Sequence, residues 1–457
     1  MSLASGRSPV PGASKLGFRV FTLGCKVNQF DAASLSLALE EAGLRGMDQG
    51  EPPGLIVVQT CSVTSAADRQ NRQLIRKLRA EHPQAVIVAT GCQAQALPES
   101  LERMPELDLV WKEPQKEGLL KRLLPLLGLQ RGWQGPPRGL LWGEGLMGLP
   151  GRTRGFLKVQ DGCNGGCSYC IVPKARGPSR SRPMESVLRA LQRWEEAGIR
   201  EAVLAGIHLG AYGRDLEPPC SLRDLLDSVL GRCSIPRIRL SSIEPQELED
   251  GIIQQMAENP RLCHHLHVPL QSGHDEILKL MNRPYDTHLV EDRIRTAVSR
   301  VPDITLGMDV MVGFPGESRE HFQQSLAFIE RLPWTYLHVF PFSPRPGTEA
   351  EGMKPIVPPK EKRERAQLLR ELSSNRIRAR MASCVGDTTE VLLEGPLKGM
   401  SGWMEGRTGT YLRVAIRAGE ELANSIVTVK LEDLRQGILV GTMVGLKIGV
   451  DSQAGNL

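Results

Sequence analysis

Cys163, Cys167 and Cys170 stand in a C-x3-C-x2-C spacing directly after Phe156-Leu157-Lys158-Val159. Cysteine thiolates hold iron–sulfur clusters, usually four to a four-iron cubane, so three leave one iron open to another molecule. Three more cysteines, Cys25, Cys61 and Cys92, are dispersed upstream, and each ends its own strand-like run. The alternative for the compact triplet is a zinc knuckle short of its fourth ligand, or plain buried thiols. Zinc sites more often pair two C-x2-C elements or add histidines at set spacing, so a cluster is the better match. Cys220, Cys233, Cys263 and Cys384 have no such spacing and read as ordinary, partly buried thiols.

The elements that must position these thiols follow from periodicity. Phe18–Leu23, Leu55–Val58 and Ala85–Ala89 read as strands. Helices are expected over Asp31–Ala42, with Asp31 as N-cap, and over Ser65–Arg79. Strands alternating with helices predict a parallel α/β sheet, whose ligands sit beyond the carboxyl ends of the strands. Cys25, Cys61 and Cys92 can therefore meet at one rim. Residues 128–153, rich in Gly, Pro and Trp, read as a linker. From 154 to 382 six strand-like runs alternate with helices: Phe156–Val159, Glu201–Ala205, Arg237–Leu240, His264–Val268, Thr305–Val312 and Tyr336–Phe340. That series predicts a partial (β/α)6 barrel with its site at the carboxyl ends of the strands. Lys360–Arg380 reads as a charged helix. Beyond Ser383, Thr389–Leu393, Tyr411–Val414, Ser425–Leu431 and Val444–Gly449 predict a small all-β module, taken as 383–451. Residues 1–16 read as a disordered tail and 17–127 as the first domain.

Composition bounds the rest. No run of about 18 apolar residues exists, so no membrane helix is expected. Met1–Ser14 lacks the apolar core of a secretory signal, and ten cysteines then fit a reducing, cytoplasmic setting. A net charge of only +5 permits an acidic partner without requiring one.

The compact triplet on six βα units resembles the radical S-adenosylmethionine superfamily. In that superfamily the open iron takes the amino and carboxylate groups of S-adenosylmethionine, and one electron releases a 5′-deoxyadenosyl radical. The likeness narrows. Thr22-Leu23-Gly24-Cys25-Lys26-Val27-Asn28-Gln29, Gln59-Thr60-Cys61-Ser62-Val63-Thr64 and Thr90-Gly91-Cys92 resemble the amino-terminal domain of methylthiotransferases. Gln160 to Asn164, Ser241 to Pro245, His267 to Gly273, Gly313 to Glu317 and Arg345 to Thr348 match the same family, and the last module resembles a TRAM domain, a small RNA-binding barrel. The string Leu23 to Gln29 most resembles the branch acting on threonylcarbamoyladenosine in tRNA. The isopentenyladenosine branch usually has Gly-Cys-Gln-Met-Asn there, and the branch modifying a ribosomal-protein aspartate Gly-Cys-Pro-Lys-Asn.

This resemblance implies two [4Fe-4S] clusters, one on Cys163, Cys167 and Cys170, the other on Cys25, Cys61 and Cys92. It implies S-adenosylmethionine as methyl donor and radical source, tRNA as substrate, and an electron donor such as a flavodoxin or ferredoxin. Tyr169 matches an aromatic position near the cofactor adenine. Glu244, Gln271, Ser272, Gly206 and Gly313 are candidate cofactor contacts, each with a cap or turn role as its alternative. Arg176, Arg180 and Arg182 are candidate phosphate contacts, and Arg376, Arg378 and Arg380 candidate guides for RNA. His208 and His267 read as satisfied structural histidines. A reading of another class keeps the clusters but makes the chain an RNA-binding redox sensor.

Overall fold

The computed structural model describes residues 16–47, 51–113, 116–127, 140–143, 145–146 and 153–446. The expected tail up to residue 15, most of the expected linker and the end of the last module lie outside them; Leu16, expected in the tail, is instead buried in the core of the first unit.

The first unit contains β1 (Gly17–Thr22), α1 (Lys26–Glu41), β2 (Arg45–Gly46), β3 (Leu55–Thr60), α2 (Ser65–Glu81), β4 (Val86–Gly91), α3 (Cys92–Ala96), α4 (Glu99–Glu102), β5 (Leu109–Val110) and α5 (Lys116–Leu126). Its strands form one parallel sheet in the order β2-β1-β3-β4-β5. Every residue of β3 is buried, as a central parallel strand covered on both faces requires. One element departs from expectation. The helix predicted from Asp31 begins at Lys26, so Asp31 is a buried interior residue rather than an N-cap. Gly24, at φ +98°, makes the turn that starts the helix early; a Cβ there would also meet Cys61 Sγ at 2.8 Å.

The second unit follows with β6 (Arg154–Lys158), β7 (Gln160–Asp161), α6 (Val172–Arg176), β8 (Arg180–Ser181), α7 (Met184–Glu196), β9 (Glu201–Ala205), α8 (Leu222–Arg232), β10 (Arg237–Leu240), α9 (Asp250–Glu258), β11 (His265–Gln271), α10 (Asp275–Leu280), α11 (Thr287–Arg300), β12 (Thr305–Val312), α12 (Arg319–Arg331) and β13 (Tyr336–Pro341). Two parallel ladders, β6-β9-β10 and β11-β12-β13, carry the six major strands. An Ile238–Leu262 bridge and the Ile243 N–H bond to the His267 carbonyl (3.0 Å) join them. The result is the expected partial barrel. The short antiparallel pair β7-β8 braces the loop that carries the cysteines.

Helix α13 (Pro359–Ser383) leads into β14 (Thr388–Pro396), β15 (Trp403–Thr408), β16 (Arg413–Arg417), β17 (Ile426–Arg435) and β18 (Ile438–Leu446). These strands close a barrel in the order β14-β15-β16-β18-β17. The sequence reading found four strands here and missed β15. Its inward positions are Met404, Gly406 and Thr408, so the apolar alternation is muted. Gly406 is required: a Cβ would stand 2.3 Å from the Leu392 carbonyl. The small barrel docks on the amino ends of the six strands. Arg237 donates to the Glu390 and Arg407 carbonyls, and Arg239 to that of Gly409. Tyr411 reaches between them, 4.6 Å from the His265 ring and 4.9 Å from the Arg239 guanidinium. It plugs the lower end of the strand lumen.

Candidate active site

Cys25 is the N-cap of α1, Cys61 immediately follows β3, and Cys92 opens α3 just after β4. One rim of the sheet thus gathers all three, as the alternation of strands and helices predicts. Asn28 stands among them. Its amide donates to the Leu23 and Thr60 carbonyls at 2.8 and 2.9 Å, and its carbonyl lies 3.8 Å from Cys92 Sγ. Burial pushes the Cys61 thiol up and that of Cys92 to about 11. A ligand that takes the thiolate relieves that cost.

The second triplet follows β7. Cys163 Sγ accepts from the Gly165 N–H at 3.2 Å and lies 3.5 Å from His208 Nδ1. Burial disfavours its thiolate, but His208 and Gly165 more than offset this and lower its pKa. Cys167 Sγ accepts from Arg283 at 3.1 Å, and burial drives Cys170 up to about 12. His208, held up at about 10 by Cys163 and Glu247, also sits 3.0 Å from the Glu247 carboxylate.

The two triplets share a wall. Cys92 and Ala96 pack on Ile171 and Ala175, the segment just after Cys170. Behind that wall a buried ionic cluster crosses the units. Lys158 pairs with Asp31 at 2.5 Å and Asp161 at 3.0 Å; Arg176 pairs with Asp161 at 2.8 Å and Asp31 at 3.1 Å. Arg176 also donates to Asn28 at 2.7 Å. A second clasp joins Arg345 to Ser62 and Asp68 at 2.7 and 2.6 Å.

The donor set fits cubane clusters. Among the described residues, three potential ligand atoms draw within 4.8 Å of one another at two places, and neither is a cysteine triplet. Sulfurs around a single tetrahedral zinc would be about 3.8 Å apart. In neither triplet do all three thiols draw that close, which suits a larger body.

Two RNA-contact expectations are corrected. Arg176 is 6% exposed and spent on Asp31, Asp161 and Asn28. Arg182 is fully buried, with Nε donating to Ser186. Neither presents a guanidinium to phosphate; Arg180 alone of the three is partly exposed. Arg376 and Arg380 are only partly buried and donate to the Leu332 and Asp303 carbonyls. The cofactor candidates divide. Tyr169 meets Phe314 edge-on at 6.3 Å. Glu244 is clamped by Arg283, the same residue that reaches Cys167. The Gly206 N–H donates to Ser241 at 3.3 Å, and Gln271 occupies a bulge at φ +64°. Ser272 is buried in the turn it stabilises by accepting from the His274 N–H. Gly313, at φ +70°, donates to the Glu317 carboxylate, so turn geometry accounts for both.

The sequence reading assigned no role to Asn28, Lys158, Asp161 and Arg283; the partners Arg176, Asp31 and Cys167 of Asn28, Lys158 and Arg283 lie more than a hundred residues away, and nothing local marks them. It also missed the strand lumen. His267, Asp309 and His338 stand side by side on β11, β12 and β13, with Asp309 2.9 Å from His267 and 3.4 Å from His338. Lys26, next to Cys25, extends its ammonium to 5.9 Å from the Phe156 ring. Burial there lowers its pKa from the ordinary lysine value.

Comparison with known proteins defines the class first. Residues 157–329 match the Radical SAM superfamily model, and residues 17–112 match the model of Uncharacterized protein family UPF0004. The fold is similar to that of a solved radical S-adenosylmethionine methyltransferase, TsrM from Kitasatospora setae. Their TM-score is 0.53 at 15% identity, over 74% of this chain and 77% of that one. The chain is 34% identical over 421 residues to the threonylcarbamoyladenosine tRNA methylthiotransferase MtaB of Bacillus subtilis, covering 90% of this chain and 92% of that protein. It is 35% identical to the protein of the same name from Thermotoga maritima, covering 88% and 92%. It is 32% identical to the tRNA-2-methylthio-N(6)-dimethylallyladenosine synthase of Desulfitobacterium hafniense, covering 94% and 98%. The chain belongs to the radical S-adenosylmethionine methylthiotransferase family. It is an enzyme whose cofactors are two [4Fe-4S] clusters and S-adenosylmethionine.

Proposed function

We propose that this enzyme places a methylthio group on carbon 2 of threonylcarbamoyladenosine in tRNA. Cys163, Cys167 and Cys170 hold the radical cluster, and Cys25, Cys61 and Cys92 the auxiliary one. When bound, these groups supply a primary carbon radical, sulfur and a methyl group, the chemistry needed at a carbon whose hydrogen no base removes readily. The protein holds and orients. Arg283 binds both Glu244 and Cys167, and so couples a cofactor-facing carboxylate to the cluster loop. Arg176, Asp31, Asp161 and Lys158 fix the two cysteine-bearing units against each other. The C-terminal barrel is assigned an RNA-holding role, with an electron donor of the flavodoxin or ferredoxin kind.

The observation that carries this reading is the shared wall between the triplets, Cys92 and Ala96 against Ile171 and Ala175. It supports sulfur delivery and radical formation on adjoining surfaces. The threonylcarbamoyl assignment rests on the Gly24-Cys25-Lys26-Val27-Asn28-Gln29 string and on the named relatives. Mass spectrometry of tRNA nucleosides from a deletion strain and its complement tests it. Loss and return of 2-methylthio-threonylcarbamoyladenosine is expected. Loss of the methylthio group from isopentenyladenosine instead would overturn the substrate. The Cys25→Ala variant should still cleave S-adenosylmethionine to 5′-deoxyadenosine but leave tRNA without the methylthio group; full methylthiolation would refute the role of Cys25.

A further inference from the structure

Lys26 is a cation in search of an anion. Its backbone is the first residue of α1, adjacent to Cys25, and its side chain passes Phe156 into the strand lumen. Among the described residues its ammonium has neither a hydrogen-bond nor an ion-pair partner; Tyr411 and, less strongly, Glu201 face it electrostatically, beside the cations Arg154 and Arg239. Arg239 and Arg154 share the buried Glu201, Arg154 also pairs with Glu394, and Asp309 faces His267 and His338. The helix start reinforces the positive end: α1 has no side-chain cap and no acidic residue in its first turn. An unpaired ammonium is costly to hold in such a place unless something else completes it.

The lumen is closed below by Tyr411 and lined above it by Phe156, His267, Asp309 and His338. It offers an apolar ring, hydrogen-bonding imidazoles and, in Lys26, a cation without an ion-pair partner among the described residues, an environment for a planar base bearing an anionic group. This deepens the substrate reading above and rests on it. Threonylcarbamoyladenosine carries a free carboxylate on its N6 substituent; isopentenyladenosine carries only hydrocarbon. The same position is Gln in the usual isopentenyladenosine string, which has hydrogen-bonding capacity but no charge.

We infer that Lys26 is the specificity-determining residue, its ammonium pairing with the threonyl carboxylate of the substrate nucleoside. Recognition and sulfur delivery then sit on neighbouring residues of one turn, Lys26 and Cys25. Pairing of this half-buried ammonium with a carboxylate is charge-assisted, so its loss is felt strongly.

The test uses the full chain with both clusters loaded, and anticodon stem-loop RNAs of three kinds. One carries threonylcarbamoyladenosine, one its methyl ester, and one isopentenyladenosine. The wild type should prefer the free acid over the ester by about 10- to 100-fold in kcat/KM. Lys26→Gln should lose about that factor on the free acid, treat acid and ester alike, and bind the acid RNA correspondingly more weakly. Lys26→Arg should recover part of the preference. Iron content and 5′-deoxyadenosine formation report that the variants stay loaded. A Lys26→Gln enzyme that still discriminates acid from ester overturns the inference. So does an equal loss on acid, ester and isopentenyl RNAs, which would mark Lys26 as structural. A wild type inactive on the threonylcarbamoyl RNA but active on the isopentenyl one overturns the substrate reading itself, a result distinct from both.

Discussion

At the scale of single residues, the buried charges say most about how the units are joined. Arg176 serves two carboxylates and the amide that sits beside Cys92. Replacing it by Leu strands Asp31 and Asp161 without that partner in a water-poor wall. Removal of one member of a buried ion cluster typically costs about 3–5 kcal/mol. Arg176→Leu should therefore unfold at clearly lower urea in an anaerobic titration, and Arg176→Lys should recover part of the loss. A variant within about 0.5 kcal/mol of wild type would show that the cluster does not hold the units together. None of this was legible in the sequence. The cysteines were, because thiols at fixed spacing, or one per strand end, announce themselves. Asp31 and Lys158 are 127 residues apart, and Arg176 and Asn28 are 148 apart. Their types alone suggested a helix cap for one and a phosphate contact for another.

At the scale of elements, alternation was a reliable guide to the parallel units and a poor one to the small barrel. Thr305–Val312, Glu201–Ala205, Arg237–Leu240 and Arg319–Arg331 have the expected bounds, since each is a long apolar or amphipathic run between clear breaks. Strand β15 was missed because a small closed barrel needs Gly406 where its strands approach. Between elements, the His264–Asp303 pair ties the entry to β11 to the entry to β12. The hydrogen bond to Asp303 raises the His264 pKa above the ordinary histidine value, partial burial notwithstanding. A raised folded-state pKa stabilises fully below about pH 6.5, and that contribution is lost as pH rises through the folded value. The pair's contribution to urea stability should thus fall as pH rises above about 6.5, and Asp303→Asn should remove that part of the slope. An unchanged slope in Asp303→Asn would remove the pair from the account.

At the scale of the molecule, three units pack on one another. The first sheet brings three thiols to its rim, the partial barrel brings three more, and the C-terminal barrel closes the lumen from below through Tyr411. With Arg176 and Arg182 engaged inside the protein, RNA affinity is expected from exposed cations, such as Arg69 and Arg76 on α2 and Arg378 on α13. Binding of an anticodon stem-loop should weaken at least about tenfold between 50 and 200 mM salt, and affinity that ignores salt would contradict an electrostatic grip. The central claim is that two separate cysteine triplets carry two separate clusters. Iron and sulfide analysis with Mössbauer spectra of anaerobically reconstituted protein tests it most directly. About eight irons per chain are expected for the wild type, and about four for a variant with Cys25, Cys61 and Cys92 changed to Ala and for one with Cys163, Cys167 and Cys170 changed to Ala. A wild type with only about four, or an upstream variant that keeps all eight, would contradict it.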